Sequence, residues 1–448
     1  MEDQTQKRRP SGMRGFIIIC LGQIVSILAS QMTGFALTVY VFQETDSATA
    51  LGLMSTSFLI PFLAFSPIAG AMVDRYNRKL MMMVSDLVAG LATLAILIVS
   101  LVGDLQIWHF YVVNVFIGLG TTFQWPAYAA VISTIVPKEQ YGRANGLLSL
   151  VSTGPGIVAP LLAGALLPLV ELTGILLIDA ITFILAVAVL LFVHIPQPER
   201  TLEGEAGKGN LLKEATFGFR YILERPSLLY LQSILFISNV FIGMPNNLLA
   251  PMILSRTGND SLVFGSVQSA GAIAAVLGSL ALSAWVGFKR RINGQFLGWG
   301  LYFLFSGVLM GLGRGPTVWI SAMALSRIAA ILGSTSGNAL WQTKVAPDVQ
   351  GRVFSARRLI AWLPDPIMPL VAGALADYVM EPAMQSQGRL ASAFGWLVGQ
   401  GPGAGMSLLM IFCGLGGMLT LLTGYLIPVV RNVEDILPDH DQLARVES

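Results

Sequence analysis

The chain has 448 residues, 54% of them hydrophobic and only 12% charged, with a mean hydropathy of +0.70. Soluble domains carry roughly twice that share of charge, so this composition argues against a soluble enzyme, a secreted disulfide scaffold or a nucleic-acid-binding domain. A bilayer-spanning helix takes about 20 apolar residues, and the length supplies about a dozen with short connections; the net charge of +2 says little until the charges are placed.

Twelve apolar segments follow one another at approximately 16–42, 50–73, 80–103, 107–135, 144–169, 173–194, 227–254, 260–287, 292–312, 316–345, 352–379 and 404–430. The first is too long for a cleavable signal peptide, and no hydrophilic mature domain follows it. Cys20 and Cys413 lie inside apolar runs and read as small hydrophobes, with no disulfide framework and no metal motif. Of the 27 Lys and Arg, 23 fall in the N-terminal tail, in every second connection and in the C-terminal tail. The opposite loops hold Arg256, Arg314 and Arg389, and Arg327 lies within a segment. The positive-inside rule then predicts that both termini are cytoplasmic.

Most connections are short. Residues 195–226 begin charged and Gly-rich, then place Leu211, Leu212, Ala215, Phe219 and Ile222 at helical spacing, which predicts a linker with a short amphipathic helix. The domains expected are therefore a six-helix bundle over 1–194, the linker over 195–226, and a second six-helix bundle with a short tail over 227–448. The long connection 381–403 ends in Gly401-Pro402-Gly403-Ala404-Gly405 and is expected outside, at the membrane surface.

A shift of 209 residues lays one half on the other. Gly142-Arg143 falls on Gly351-Arg352, Pro155 on Pro364, Pro160 on Pro369, Gln23 on Gln232 and Gly34 on Gly243. Ala and Leu matches mean little in apolar sequence, but the Gly-Arg and Pro matches in one helix pair predict a duplicated six-helix unit.

Between segments 2 and 3 the chain reads Gly70-Ala71-Met72-Val73-Asp74-Arg75-Tyr76-Asn77-Arg78-Lys79. Gly70 permits close helix approach, and Asp74 can accept hydrogen bonds from a facing helix N-terminus. A generic positive-inside loop needs Lys and Arg but not this Gly–Asp spacing. The stretch resembles the loop 2–3 signature of the major facilitator superfamily, G-x-x-x-D-R-x-x-R-K. Gly22-Gln23, Thr45 to Ala50, Pro126-Ala127, Val136 to Gln140, Arg143 to Gly146 and Glu434 to Asp439 look more narrowly like its macrolide-efflux and enterobactin-exporter branch. The resemblance implies an all-α integral membrane fold of twelve transmembrane helices in two six-helix repeats. It also implies a cytoplasmic gate in which Gly70, Asp74, Arg75, Arg78 and Lys79 work with Gly351 and Arg352. Asn114, four residues before Gly118, stands where many proton-coupled exporters of this superfamily carry an arginine, so the usual cation is missing.

Arg327 and Asp365 lie near the middle of segments 10 and 11, where each charge costs about 2.5–3.5 kcal/mol on the insertion scale. They are expected to neighbour each other, either as a coupling pair with Asp365 as the proton site or as a permanently closed structural ion pair. Asp179 in segment 6 and Asp86 in segment 3 are further coupling candidates, Asp86 also being placed to support the loop 2–3 cluster.

Polar residues recur at helical spacing in four segments: Gln23, Ser26, Ser30 and Thr33; Asn114, Thr121 and Trp125; Gln232, Phe236, Asn239 and Asn246; Ser334 and Asn338. Segments 1, 4, 7 and 10 line the central cavity of the resembled fold, so these residues, with Trp362, are expected to line it. Interhelical hydrogen bonding is the competing reading for each residue alone. Such a lining suits a bulky amphipathic solute better than a strongly anionic metabolite.

Taken together, the residues and the resemblance predict a monomeric secondary transporter of the plasma (bacterial inner) membrane. It would export a hydrophobic or amphipathic small molecule, antibiotic-like or siderophore-like, in exchange for protons and by alternating access. Its partners are the solute, protons and the lipid bilayer, with no nucleic acid, cofactor or metal. An importer or lysolipid flippase on the same fold, or a non-transporting membrane sensor, are the alternatives. No Walker A, H-E-x-x-H or G-x-S-x-G sequence points to ATP drive or hydrolysis.

Overall fold

Main-chain N–H and C=O groups inside a bilayer find no water, so an apolar chain satisfies them within itself, and helices do so segment by segment. The computed structural model describes residues 12–439 apart from 104, 138–139, 194–210, 286, 347–348 and 387. The side chains at 67, 70–71, 73–75, 78, 125, 129–134, 141–142, 145 and 211–216 also lie outside the description. Among the described residues the regular structure is entirely helical. Nine of these helices are long and apolar enough to cross a membrane.

Two units divide the chain. The first comprises Met1–Glu199 with Thr257–Ser269. It contains α1 (Gly12–Thr45), α2 (Ala48–Arg75), α3 (Arg78–Val102), α4 (Ile107–Ile135) and α5 (Tyr141–Phe192). Side-chain caps mark two helix starts, Ser47 accepting from Ala50 N and Asn77 from Leu80 N, and Gly103 closes α3 in the left-handed conformation. Segments 5 and 6 are continuous in α5 but turn at Glu171 (φ 55°, ψ −177°), a region a side-chain-bearing residue rarely occupies. Gly120 brings α4 against α3, since a Cβ there would lie 2.8 Å from Ser85 O. Phe16, Ile19, Met82, Ala127, Leu148 and Leu190 are among the residues of an apolar cluster in this unit.

The second unit comprises Arg200–Arg256 with Ala270–Ser448. It contains α6 (Leu211–Leu223), α7 (Pro226–Thr257), most of α8 (Ser261–Ser283), α9 (Arg291–Phe303) and α10 (Pro316–Lys344). A π turn continues α9 to Leu312. Segment 11 is not one helix. It runs as α11 (Gln350–Trp362), a turn, and α12 (Met368–Leu375), which continues through a second π turn to Met384. The connection that follows folds into α13 (Ala391–Val398), and segment 12 is α14 (Ala404–Leu426).

Two side-chain networks tie down the ends of this unit. Arg256 donates to Gly313 O (3.0 Å), Val398 O (2.6 Å) and Gly403 O (3.3 Å). Glu381 accepts from Gly403 N (3.2 Å) and Met406 N (2.8 Å), which caps the start of α14. At the last turn of α10, Lys344 donates to Glu434 O (2.7 Å), Leu437 O and Asp439 Oδ1 (2.8 Å). The Glu434 carboxylate accepts from Ile292 N at the start of α9 (3.0 Å), and Arg290 pairs with Asp435. Val430 and Val433 are fully buried beside these contacts, so the tail is a packed part of the unit up to Asp439.

Candidate functional site

In the first unit the polar face of α1 meets two buried carboxylates. Gln23 Nε2 donates to Asp86 Oδ2 (2.9 Å), and Gln124 Nε2 of α4 donates to Asp86 Oδ1 (2.8 Å). Two turns further along α1, Ser30 Oγ donates to Asp179 Oδ1 (2.9 Å), and Thr93 Oγ1 of α3 donates to Asp179 Oδ2 (3.3 Å). Asp86 is 7% exposed and Asp179 2%. No ion pair reaches either carboxylate among the described residues. Both are thus solvated by neutral amides and hydroxyls.

In the second unit the corresponding amides turn to main chain. Gln232 Nε2 donates to Arg357 O (3.2 Å), Asn239 Nδ2 to Ala361 O (3.0 Å) and Asn247 Nδ2 to Pro369 O (3.1 Å). Asn246 accepts from Tyr302 Oη (3.2 Å), and Phe236 is half-buried.

Several residues expected in the cavity wall are buried or bonded in the structure. Gln23, Thr33 and Gln232, at 2%, 3% and 2% exposure, are buried within their own units. Gln23 and Gln232 make interhelical hydrogen bonds, because a polar group shut away from water has to find a protein partner. Asn114 donates to Phe110 O (2.8 Å), Thr121 to Ile117 O (2.8 Å) and Ser334 to Ile331 O (3.1 Å), each within its own helix. Asn338 accepts from Arg357 (3.2 Å). Ser26 is half-buried and Trp362 exposed, with Arg358 above its ring at 5.5 Å. The Trp125 side chain lies outside the described residues.

The expected Arg327–Asp365 pair is not formed. Among the described residues no ion pair joins them. Arg327 is exposed on α10, and its stem runs beside Gly271 of α8. Asp365 is half-buried in the turn between α11 and α12, and among the described residues no ion pair reaches its carboxylate.

Of the gate residues, the side chains of Gly70, Asp74, Arg75 and Arg78 lie outside the described residues. Lys79 donates to Leu191 O (3.2 Å) and Val193 O (2.8 Å), capping the final carbonyls of α5 where the helix dipole favours a cation. Gly351 is exposed, and the Arg352 guanidinium stands 5.1 Å from the Phe217 ring of α6.

Gln124, Thr93 and Asn247 complete these constellations and were not singled out from the sequence. Gln124 and Asn247 were legible as amides at membrane depth, Gln124 three residues beyond Thr121 and Asn247 next to Asn246. Thr93 carried no signal, since an isolated threonine in an apolar helix bonds its own backbone as readily as a neighbour.

Comparison with known proteins places these helices in context. The model for the Major Facilitator Superfamily matches residues 19–369. Macrolide efflux protein A of Streptococcus pyogenes is 28% identical over 370 residues, covering 81% of this chain and 90% of that protein. Enterobactin exporter EntS of Shigella flexneri is 24% identical over 394 residues, covering 86% and 89%. Both belong to the branch that the sequence resembles. The crystal structure of a bacterial homolog to the human lysosomal transporter Spinster, inward-facing and unoccupied, shares the fold with a TM-score of 0.69 at 16% identity, covering 94% of this chain and 98% of that one. The match through both halves, the duplicated register and the all-helical membrane architecture lead to one assignment: the chain is a membrane transporter that belongs to the Major Facilitator Superfamily.

Proposed function

We propose that this transporter is a proton-coupled exporter of a hydrophobic or amphipathic small molecule, working by alternating access with both termini in the cytoplasm. The observation that carries the reading is the pair of buried carboxylates, Asp86 and Asp179, held among the described residues by neutral donors. An ionised carboxylate at membrane depth is costly, and no described cation offsets it, so uptake of a proton is the available route to neutrality. Amides and hydroxyls also suit a group that changes protonation state. Each can turn from donating to a carboxylate to accepting from a carboxylic acid. Asp365, half-buried and unpartnered, is a third group placed to exchange a proton. Relatives named for macrolide efflux and enterobactin export support the outward direction and an organic solute.

The test is transport of a fluorescent amphipathic dye into inverted vesicles that carry the protein, with and without an imposed pH gradient. Gradient-dependent dye uptake absent from empty vesicles supports the proposal. Uptake indifferent to the gradient removes proton coupling, and gradient-driven movement in the opposite direction removes export.

A further inference from the structure

Among the described residues no side chain holds the Asp365 carboxylate, and the turn that carries it is shaped by another helix. Pro364, Pro366 and Pro369 each lack an N–H, and each disfavours helical backbone in the residue before it. The chain between Trp362 and Met368 accordingly leaves the helix. Asp365 N donates to Trp362 O (3.1 Å), and Ile367 N and Met368 N both donate to Pro364 O (3.0 and 2.9 Å). In an unbroken helix the Asp365 N–H would serve Ala361 O. Asn239 serves it instead, through Nδ2 at 3.0 Å.

Asn239 is the middle of three amides on one face of α7. Gln232 holds Arg357 O before the break, and Asn247 holds Pro369 O after it. Steps of seven and eight residues are each about two helical turns, which puts all three toward α11 and α12. Gly243 permits the approach at the level of the break, since a Cβ there would lie 2.9 Å from Met368 Cβ. Between residues 232 and 247, α7 brings no titratable side chain. The three cations on α11 are engaged elsewhere: Arg352 lies 5.1 Å from the Phe217 ring, Arg357 donates to Asn338 and lies 5.0 Å from the Trp341 ring, and Arg358 lies over Trp362. On α10, Arg327 stands beside Gly271, and Asp377 follows Asp365 about three turns later.

We infer that Asn239 is a positioning residue for Asp365: by holding the Ala361 carbonyl that the break leaves without a main-chain donor, it sets the turn from which the carboxyl projects. The inference rests on the proposal that Asp365 exchanges a proton during transport. A free Ala361 carbonyl would compete for the Asp365 N–H, redrawing the turn and changing how the carboxyl meets water.

The experiment measures the pH dependence of dye transport in vesicles for the full-length protein, four single variants (Asn239→Ala, Asn239→Ser, Gln232→Ala and Asp365→Asn) and the double variant Asn239→Ala/Asp365→Asn. Asn239→Ala is expected to move the pH midpoint by about one unit, a tenfold change in proton affinity. Asn239→Ser, which keeps a donor, is expected to move it less, and Gln232→Ala, remote from the break, not at all. Combined with Asp365→Asn, Asn239→Ala should add no further change to the profile. If Asp365→Asn alters the profile while Asn239→Ala and Asn239→Ser leave the midpoint in place, the positioning role is overturned and proton exchange at Asp365 survives. If Asp365→Asn leaves the profile unchanged, both fall together.

Discussion

The two units use matching registers for opposite purposes. Under the 209-residue offset Gln23 corresponds to Gln232 and Ser30 to Asn239. The first pair member donates to a carboxylate in each case, the second to a main-chain carbonyl. Asp86 corresponds to Gln295, which is 1% exposed and neutral, so the buried acid of α3 has no acidic counterpart in α9. Pro155 and Pro160 correspond to Pro364 and Pro369, yet α5 stays helical through both prolines while α11 stops. The second half adds Pro366 and carries Asp365 where the first half has Ile157 and Gly156. Two prolines remove N–H groups that one helix can spare; a third within the same six residues leaves too few, and α7 supplies amides in their place. Duplication thus preserved where polar groups stand but not what they bind.

Removing the carboxylate oxygens proposed to take up protons tests this contrast most severely. Asp86→Asn and Asp179→Asn keep the shape of each site, and each is expected to lower gradient-driven export about tenfold or more, about 1.4 kcal/mol per factor of ten. Vesicle transport at matched protein levels measures it, and wild-type coupling in both variants would strip the first unit of its part in coupling.

The charged anchor of the tail belongs to the second unit alone, since Lys344 corresponds to Ile135. Its side chain is 3% exposed against 41% for that of Asp439. Lys344→Met leaves three tail oxygens without their donor and should cost about 2–4 kcal/mol, toward the lower part of the range for breaking a buried pair because Asp439 is partly solvated. Thermal unfolding in detergent measures the loss. An unchanged midpoint would show that apolar packing of Val430 and Val433 holds the tail unaided.

A matched pair of substitutions refines the comparison further. Gln23→Leu removes a donor from a buried carboxylate, about 1.5–3 kcal/mol. Gln232→Leu removes a donor from a carbonyl, about 0.6 kcal/mol for an average interhelical hydrogen bond in a membrane. Equal losses of stability in the two variants would mean that the acid is no more dependent on its amide than the carbonyl is.

Much of the fold was legible because membrane constraints act on local sequence. Apolar length marked the segments, and helical spacing marked the short helix Leu211–Leu223. The site was legible only as faces. A polar stripe at helical spacing on α1 or α7 states that those residues look the same way, not what stands opposite. Gln23 and Asp86 are 63 residues apart, and Asn239 and Ala361 are 122 apart. Arg327 and Asp365 illustrate the same limit: two charges at similar depth need not share a side, and among the described residues no ion pair joins them.

The low charge content and its placement determined that this is a membrane protein of repeated helices, because transfer into a bilayer penalises every unpaired charge whatever the tertiary arrangement. Loop 2–3 and the 209-residue register identified the superfamily, because a duplicated chain keeps its Gly, Pro and Arg punctuation. Tertiary structure alone decided which polar groups are partnered. Hydrogen bonds of about 3 Å depend on the neighbouring helix, its crossing and its breaks, none of which hydropathy records. That packing gives Asp86 and Asp179 their neutral donors and leaves Asp365 open.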